Sequence, residues 1–252
     1  MKKLILLLFI PLVFACSDES SDSDNNSNNN SNNSSNKKLI SVVSEGQFNN
    51  HEVYLYYTND KLTMTEYFYD GDNDEVYTEI FEHLDGEIRI TSTYYDDETQ
   101  IRTYPVNQDG TINSPYIIFE NGYLISFIVP ADGGAEPSTT NYIWENGNLV
   151  SEIINYENLE EHNAYMSYSD YDNVFGFFPN AWRYPDFLAE TILGIWGNAS
   201  ANLPLEGTYN DPETLETEVT TFSYLFDDEG YPIRIIAIMD GYPTTYNLTY
   251  SD

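Results

Sequence analysis

The sequence contains very little cysteine and very little positive charge. Cys16 is the single cysteine in 252 residues, which excludes a disulfide framework, a cysteine-based metal site and a thiol nucleophile from the remaining chain. Lysine and arginine together number 9 against 42 aspartates and glutamates, giving a formal net charge of −33. Such a charge repels phosphate backbones, so we expect no nucleic-acid partner.

Histidines and catalytic motifs are also scarce. The three histidines, His51, His83 and His162, are far apart and lack the spacing of a zinc site. There is no Gly-x-Ser-x-Gly elbow and no phosphate-binding glycine loop. Adjacent acids fall in predicted turns or polar segments, where they are solvated: Asp96-Asp97-Glu98, Glu160-Glu161 and Asp227-Asp228. We therefore predict that the protein is not an enzyme. A glycan-active hydrolase, which needs one carboxyl in an apolar pocket, is a distant alternative.

The longest apolar run at the N-terminus is too short to cross a membrane. Met1–Ala15 has two lysines followed by 12 residues without charge, whereas a spanning helix needs about 20. This pattern predicts a secretion signal peptide. Val13-Phe14-Ala15-Cys16 resembles a lipoprotein signal-peptidase box, which implies cleavage before Cys16 and lipid attachment to its thiol. An ordinary signal peptide followed by an incidental cysteine is the alternative.

A polar segment follows the cysteine. Ser17–Lys38 contains no apolar residue, so we expect a disordered tether that spans on the order of 25 Å. Its first residues, Ser17-Asp18-Glu19, resemble the export signal of Bacteroidota-type lipoproteins that reach the outer face of the outer membrane. The alternative is that these acids only begin the tether. The predicted organisation is a signal peptide over 1–15, lipidated cysteine and tether over 16–38, and a single β-rich domain over 39–252.

Hairpin signals dominate the chain from Leu39 onward. Asn146-Gly147 and Asn121-Gly122 each separate two apolar runs, and a type I′ turn favours this pair because it needs positive φ at both positions. A plain two-residue turn at Asn146-Gly147 predicts that Ile143 faces Val150. Weaker turn signals occur at Asn59-Asp60, Asp85-Gly86, Asp109-Gly110 and Glu229-Gly230.

Short polar breaks between strands predict an antiparallel meander. The content of 23 tyrosines and 13 phenylalanines favours strands. Several strands are apolar on both faces, which predicts that the sheet curls strongly or carries a helix. The predicted strands are Leu39–Val43, Glu52–Thr58, Leu62–Tyr69, Tyr77–His83, Ile88–Tyr95, Ile101–Val106, Tyr116–Phe119, Leu124–Val129, Tyr142–Trp144, Leu149–Ile154, Met166–Tyr171, Thr217–Phe226, Ile233–Met239 and Thr244–Tyr250.

One late segment has a helical pattern. Phe187–Gly197 follows Asp186, which can cap a helix start, and ends on a glycine, which can cap a helix end. Four apolar residues share one helical face: Leu188, Ile192, Ile195 and Trp196. We predict a helix that packs on or inside the curved sheet as part of the core.

The best candidate for an ion site is an acidic turn. Asp70, Asp72 and Asp74 alternate as in the first half of a calcium loop, although Glu75 stands where that loop needs glycine. An acidic hairpin turn explains the pattern equally well. Apart from calcium at this turn, the sequence predicts no cofactor.

Together these features resemble a known family. The lipoprotein start, the aromatic hairpins with Asn-Gly or Asp-Gly turns, and the segments Ala181–Pro204 and Tyr224–Ile235 resemble an uncharacterised family of Bacteroidota-type surface lipoproteins described as having a porin-like fold. The resemblance covers most of Leu39–Asp252. Single hairpins also resemble the Tyr-Asp repeats of large shell-forming toxin proteins. The family resemblance implies a mainly β fold, a strongly curved antiparallel half-barrel around the late helix. The only functional residue it transfers is Cys16.

Two functions remain open. The preferred hypothesis is a non-catalytic, surface-exposed outer-membrane lipoprotein that binds a ligand or partner, with a glycan as one candidate, on its aromatic-rich sheet. The alternative is an assembly module that docks to another envelope protein by a sheet edge. Under both hypotheses, we expect the lipid on Cys16 to be the protein's only contact with the membrane. Solvent-facing aromatics in a concave row would favour the first hypothesis, and an exposed edge strand would favour the second.

Overall fold

A computed structural model describes most of the predicted domain. The described residues are 37–46, 50–69, 76–94, 98–130, 137–156, 162–174, 192–210 and 216–251. Cys16, the predicted signal peptide and the tether before Lys37 lie outside them, as do Asp70, Asp72 and Asp74. The predicted division of the chain into signal peptide, tether and domain therefore stays a prediction.

The described chain is almost entirely β-strand. We number the strands in chain order as β1 (Leu39–Gly46), β2 (His51–Thr58), β3 (Lys61–Tyr69), β4 (Val76–Leu84), β5 (Glu87–Thr93), β6 (Thr99–Pro105), β7 (Ile117–Glu120), β8 (Tyr123–Val129), β9 (Ser138–Glu145), β10 (Asn148–Tyr156), β11 (His162–Asp172), β12 (Asn202–Asn210), β13 (Thr217–Phe226), β14 (Pro232–Met239) and β15 (Tyr242–Tyr250). No helix among the described residues is long and apolar enough to cross a membrane.

The strands form one 15-stranded antiparallel sheet. Its order is β6-β5-β4-β3-β2-β1-β15-β14-β13-β12-β11-β10-β9-β8-β7, so consecutive strands are neighbours except at one break between β6 and β7. The first and last strands pair with each other. Next to this pair, the Ser251 amide donates to the Lys38 carbonyl at 2.8 Å. The predicted antiparallel meander is confirmed.

The sheet is open between β6 and β7, which are its two edges. In an antiparallel sheet with an odd number of strands the two edge strands point the same way, so they cannot pair antiparallel with each other. The connection between them begins with the bridge between Val106 and Ile112. The Asn113 amide then donates to the Pro105 carbonyl, and further along the Ile128 amide of β8 donates to the Tyr116 carbonyl. This connection therefore contacts both sides of the opening.

One hydrophobic core joins the two arms of the sheet. Its buried members come from strands near both edges, including Phe81, Ile90, Leu124 and Leu149, and all belong to a single cluster. Inner-face side chains such as Ile90, Leu149 and Ile235 are 0% exposed although the described chain forms a single sheet, so the sheet must curve to cover them. An open, curved sheet agrees with the predicted half-barrel.

The strongest predicted turns have the expected geometry, but one register is wrong. Asn146 and Gly147 have φ of 52° and 79°, as a type I′ turn requires. Ile143, however, pairs with Ser151 rather than with Val150, because the register shifts between Leu149 and Ser151. Val150 is thus the extra residue of a β-bulge. The bulge changes which side chains of β10 point into the core.

One strand is absent from the prediction. The predicted strands pass from Met166–Tyr171 directly to Thr217–Phe226, yet Asn202–Asn210 form β12 between them. Pro204 and Gly207 lower the strand propensity of this region. The pairing of β12 with β11 shifts register beside Pro204, and such an irregularity accommodates a residue that cannot donate a ladder hydrogen bond.

The predicted late helix is not confirmed. Its first residues, 187–191, lie outside the described chain, and only Ile192 and Leu193 are helical. Gly194 has φ of 76°, which ends any α-helix, so the predicted continuation to Gly197 is wrong. The prediction that Ile195 and Trp196 are core is confirmed, since they are 0% and 8% exposed.

Candidate functional site

Residues 192–201, which we call the strap, cross a row of hairpin turns at one end of the sheet. The strap begins beside the connection between β6 and β7, where the Ile112 amide donates to the Ile195 carbonyl at 2.7 Å. It then meets the β7–β8 turn, where the Asn198 amide donates to the Gly122 carbonyl at 2.7 Å. It ends at the β9–β10 turn, where the Ala201 amide donates to the Gly147 carbonyl at 2.9 Å. The strap therefore fastens both sides of the opening at this end.

Side chains reinforce the last of these contacts. The Asn148 side chain donates to Asn202 Oδ1 at 3.0 Å, and its own Oδ1 accepts the Asn202 amide at 2.9 Å. The Leu149 amide donates to Ser200 Oγ at 3.1 Å, and Ser200 Oγ donates to the Tyr168 hydroxyl at 3.0 Å. The Tyr168 hydroxyl in turn donates to the Leu149 carbonyl. The bulge of β10 is thus hydrogen-bonded to the strap both directly, through Ser200, and indirectly, through Tyr168 of β11.

A first buried carboxylate, Glu79, lies on the inner face of β4. It is 0% exposed, and alternation along the strand places it between the inward side chains of Tyr77 and Phe81. Glu79 Oε1 accepts hydrogen bonds from Arg102 Nη2 at 2.6 Å, from the Tyr77 hydroxyl at 2.7 Å and from Ser92 Oγ at 3.1 Å. Burial raises the pKa of Tyr77 far above its ordinary value, so this hydroxyl keeps its proton. The cluster is a buried charge held by one cation and two hydroxyls.

A second buried carboxylate, Glu152, lies on the inner face of β10. It is also 0% exposed, and it pairs with Tyr142 of β9 and Ala164 of β11. Neither carboxyl oxygen has a hydrogen-bond partner within the described part of the chain. Burial raises the pKa of Glu152 to about 8. This carboxyl is therefore protonated at neutral pH, in contrast to a paired carboxylate.

The two carboxyls lie in different arms of the sheet. Glu79 is on the third strand from the β6 edge, and Glu152 is on the fourth strand from the β7 edge. A glycosidase needs two carboxyls a few ångströms apart on either side of its substrate. Eight strands lie between β4 and β10 in the strand order, and the Glu79 carboxyl is already paired with Arg102. Neither glutamate is among the candidate residues predicted from the sequence, although the alternation with Tyr77 and Phe81 could have placed Glu79 on the core face.

The edge strand β6 is a second candidate feature. It pairs with β5 along its whole length, and no strand of the described chain lies on its other side. Ile101, in the middle of β6, is 65% exposed. Cross-strand pairing continues from Ile101 through Thr91, Ile80 and Met64 to Tyr56. A mainly apolar row, interrupted by Thr91, therefore runs from the open edge across the outer face.

The histidines do not come together. His51 is on β2 and stacks edge-on against Tyr69, with ring centroids 4.8 Å apart. His83 is on β4, where its Nε2 lies 2.8 Å from the Leu62 carbonyl. His162 begins β11 on the other arm of the sheet. In the described ranges no three His, Cys, Asp or Glu side chains form a group that could hold a metal ion.

The end of the predicted tether is fixed to the domain. Lys37 Nζ lies 2.9 Å from Asp227 and 3.0 Å from Glu229, both in the loop between β13 and β14. Lys38 forms an ion pair with Asp60 in the turn between β2 and β3. These two turns lie at the same end of the sheet as the turns crossed by the strap, because the strand that precedes each of these turns runs towards that end. The chain therefore enters the domain at the strap end.

Comparison with solved structures identifies the architecture. The chain is similar to a porin-like protein from Bacteroides uniformis ATCC 8492, with a TM-score of 0.63, 18% sequence identity, and coverage of 84% of this chain and 98% of that chain. The fold is porin-like. A porin-like protein from Bacteroides vulgatus ATCC 8482 also matches, with a TM-score of 0.31, 16% identity, and coverage of 86% and 87%. No family model and no curated protein matches the sequence. The first match confirms the expected porin-like fold.

Proposed function

We propose that the chain is a surface-exposed outer-membrane lipoprotein that acts as a non-catalytic binding module for another envelope protein. A lipid on Cys16 anchors it, and the segment up to Lys38 separates the domain from the membrane. The observation that carries the proposal is the open edge of β6 with its exposed Ile101. Similarity in fold to a porin-like protein from Bacteroides supports a place in the envelope.

An edge strand of this kind suits strand addition. An extended partner segment can hydrogen-bond along β6, and the backbone bonds supply affinity while alternate side chains supply specificity. Ile101 lies on the outer face and continues into the row that contains Ile80 and Tyr56, which are 47% and 42% exposed. A partner strand with one apolar residue opposite Ile101 would extend this row and cover it.

The burial of the inner-face aromatic side chains favours the hypothesis of docking at the sheet edge over the hypothesis of ligand binding inside the curved sheet. Its aromatic side chains, such as Tyr67, Tyr142 and Tyr246, are buried in the core, so they stabilise the fold and are not displayed to a ligand. The prediction of a ligand on a curved aromatic surface thus receives less support than the alternative of docking by a sheet edge.

A glycan ligand is the second candidate because one aromatic pair is displayed outside the core. Tyr171 is 54% exposed, and its ring lies 4.7 Å from the ring of Phe226, centroid to centroid. Exposed aromatic rings suit the apolar faces of sugars. The two candidates use different residues, so substitutions can separate them.

The edge is tested with the full-length protein in its own cells. A photo-crosslinking residue at Ile101 should capture one envelope protein, and Ile101→Lys should abolish co-purification of that protein, because a charged side chain blocks strand addition. Ile238→Lys is the matched control, since Ile238 is 40% exposed on the central strand β14. Equal loss of co-purification with Ile101→Lys and Ile238→Lys, or loss with Tyr171→Ala alone, would reject docking at the β6 edge. Glycan binding that depends on Tyr171 would favour the second candidate.

The proposed lipid attachment and surface location are tested separately. Cys16→Ala should move the protein out of the membrane fraction and abolish palmitate labelling. Replacing Asp18 and Glu19 by alanine should protect the domain from protease added to whole cells. Continued sedimentation with membranes after the first change would reject lipid attachment, and unchanged cleavage after the second would show that the two acids are only part of the tether.

A further inference from the structure

Glu152 is a fully buried acid without a hydrogen-bond partner in the described structure. Removing an ionised carboxylate from water without a partner is unfavourable, so such a group keeps its proton at neutral pH. The described ion pairs use Lys37, Lys38, Arg89 and Arg102, and none of them involves Glu152. The proton on Glu152 is therefore a requirement of the closed structure.

The groups that face Glu152 would oppose its ionisation. From β9 comes Tyr142, and burial together with the neighbouring Glu152 carboxyl raises the pKa of Tyr142 well above its ordinary value. From β11 comes Tyr168, whose pKa is raised first by burial and also by Glu152. Ala164, the direct partner on β11, has no charge. A negative charge on Glu152 would thus lie among neutral hydroxyls and apolar side chains.

Tyr168 lies close enough to Glu152 for the carboxyl to raise its pKa, and it is hydrogen-bonded to a second element. Its hydroxyl donates to the Leu149 carbonyl and accepts a hydrogen bond from Ser200 of the strap. Ser200 also accepts the Leu149 amide. The bulge between Leu149 and Ser151 directly precedes Glu152. A change at Glu152 therefore acts where the strap is fastened to β10.

We propose that Glu152 is a pH-sensitive latch: with its proton it keeps β9, β10, β11 and the strap together, and loss of the proton releases the strap from β10. This latch is independent of the proposed partner and of lipid attachment. Its consequence is local opening at the strap end of the sheet, while the other arm stays closed because its buried acid, Glu79, is paired with Arg102.

The sign of the pH dependence follows from the raised pKa. Burial raises the pKa of Glu152 from 4.5 to about 8, so the closed state holds the proton more tightly than an open, hydrated state. Closure is therefore fully supported below about pH 4.5, and this support is lost as pH rises through 8. Between these values the opening equilibrium increases by up to about tenfold per pH unit and then levels off.

Amide hydrogen exchange of the full-length mature protein tests the latch. The Leu149 amide donates to Ser200 of the strap, and the strap amides of Asn198 and Ala201 donate to the Gly122 and Gly147 carbonyls. After division by the intrinsic exchange rates, their protection should fall about tenfold between pH 6 and 7 and less steeply as pH approaches 8. In Glu152→Gln, which has no proton to lose in this range, protection should stay constant. Glu145→Gln makes the same substitution at an exposed position on the same hairpin and should behave as the wild type.

Three results would reject the latch. One is pH-independent protection of the strap amides in the wild type, and another is an unchanged pH dependence in Glu152→Gln. The third is an equal loss of protection in β3–β6, which would make Glu152 a determinant of global stability and not of the strap. If Glu152→Gln does not fold, the wild type alone decides, because the latch requires that the strap amides lose protection with pH while the amides of β4 and β5 do not.

Discussion

Glu79 and Glu152 are two fully buried glutamates on inner strands of one sheet, yet they are held in opposite ways. Glu79 accepts a hydrogen bond from Arg102 and two more from hydroxyls, so the structure stabilises its charged form. Glu152 has no such donors in the described structure, so burial stabilises its neutral form. The identity of the residues on the adjacent strands, and not burial itself, decides which protonation state the fold selects.

The difference originates in the strands on either side. Glu79 lies between Thr65 of β3 and Ser92 of β5, and the small side chain of Ser92 leaves room for Arg102 to reach across from β6. Glu152 lies between Tyr142 and Ala164, and its arm of the sheet is closed by the strap with its buried Ile195 and Trp196. One arm is thus held by a buried ion pair, and the other by hydrophobic packing at one end.

The largest effect is expected from Trp196→Ala, which removes packing from the strap arm. Trp196 is 8% exposed and its ring packs edge-on against Phe127, with centroids 6.5 Å apart. Truncation of a buried tryptophan should lower the free energy of unfolding by about 3–5 kcal/mol, measured by urea denaturation. The matched control is Tyr116→Ala, because Tyr116 is exposed. A loss no greater than that of the control would show that the strap does not hold its arm.

The next largest effect is expected from Arg102→Ala, which removes the cation of the other arm. Removal of one partner leaves Glu79 buried without its counter-charge, and the partial exposure of Arg102 moderates the cost, so we expect a loss of about 2–4 kcal/mol at neutral pH. Adding Glu79→Gln should recover most of it, since no charge then remains buried. Arg89→Ala, which breaks an exposed ion pair with Glu82 at 3.2 Å, should cost less than about 1 kcal/mol. Equal losses for Arg102→Ala and Arg89→Ala would contradict a buried ion pair.

The sequence predicts only some of the structural features on which this comparison of the two glutamates rests. The Asn146-Gly147 turn, the meander and the burial of Trp196 follow from local pattern. The position of Glu79 is also implied by simple alternation with Tyr77 and Phe81. The position of Glu152 is not, because the bulge at Val150 shifts the phase of β10, and a bulge depends on how the strand pairs with its neighbours. The path of the strap depends on backbone contacts to turns far away in sequence, such as that of Asn198 with Gly122, which leave no periodic signal.

A smaller effect is expected from Ser92→Ala. Ser92 is buried directly opposite Glu79 and donates to its carboxylate at 3.1 Å. Loss of a hydrogen bond to a charged group costs about 1.5–3 kcal/mol, and we expect the lower part of this range because Arg102 and Tyr77 remain. Thermal unfolding of Ser92→Ala and of Ser92→Thr, which keeps the hydroxyl, measures this contribution. If Ser92→Thr is as unstable as Ser92→Ala, packing and not the hydrogen bond is responsible.

The smallest effect is expected from Ser151→Ala, the counterpart of Ser92→Ala in the other arm. Ser151 is next to Glu152 in sequence and is buried, but the bulge places it on the outer face, where it pairs with Ile143 and Tyr165. Its hydroxyl has no hydrogen-bond partner among the described residues. Removing a buried hydroxyl that has no partner, which converts the hydroxymethyl side chain into a methyl group, is neutral or stabilising, so the free energy of unfolding should stay constant or rise by up to about 1 kcal/mol. Urea denaturation of both serine variants under the same conditions gives the comparison directly. A loss from Ser151→Ala as large as that from Ser92→Ala would mean that Ser151 stabilises the Glu152 arm through its hydroxyl, and the contrast between the two carboxyls would then not extend to the serines beside them.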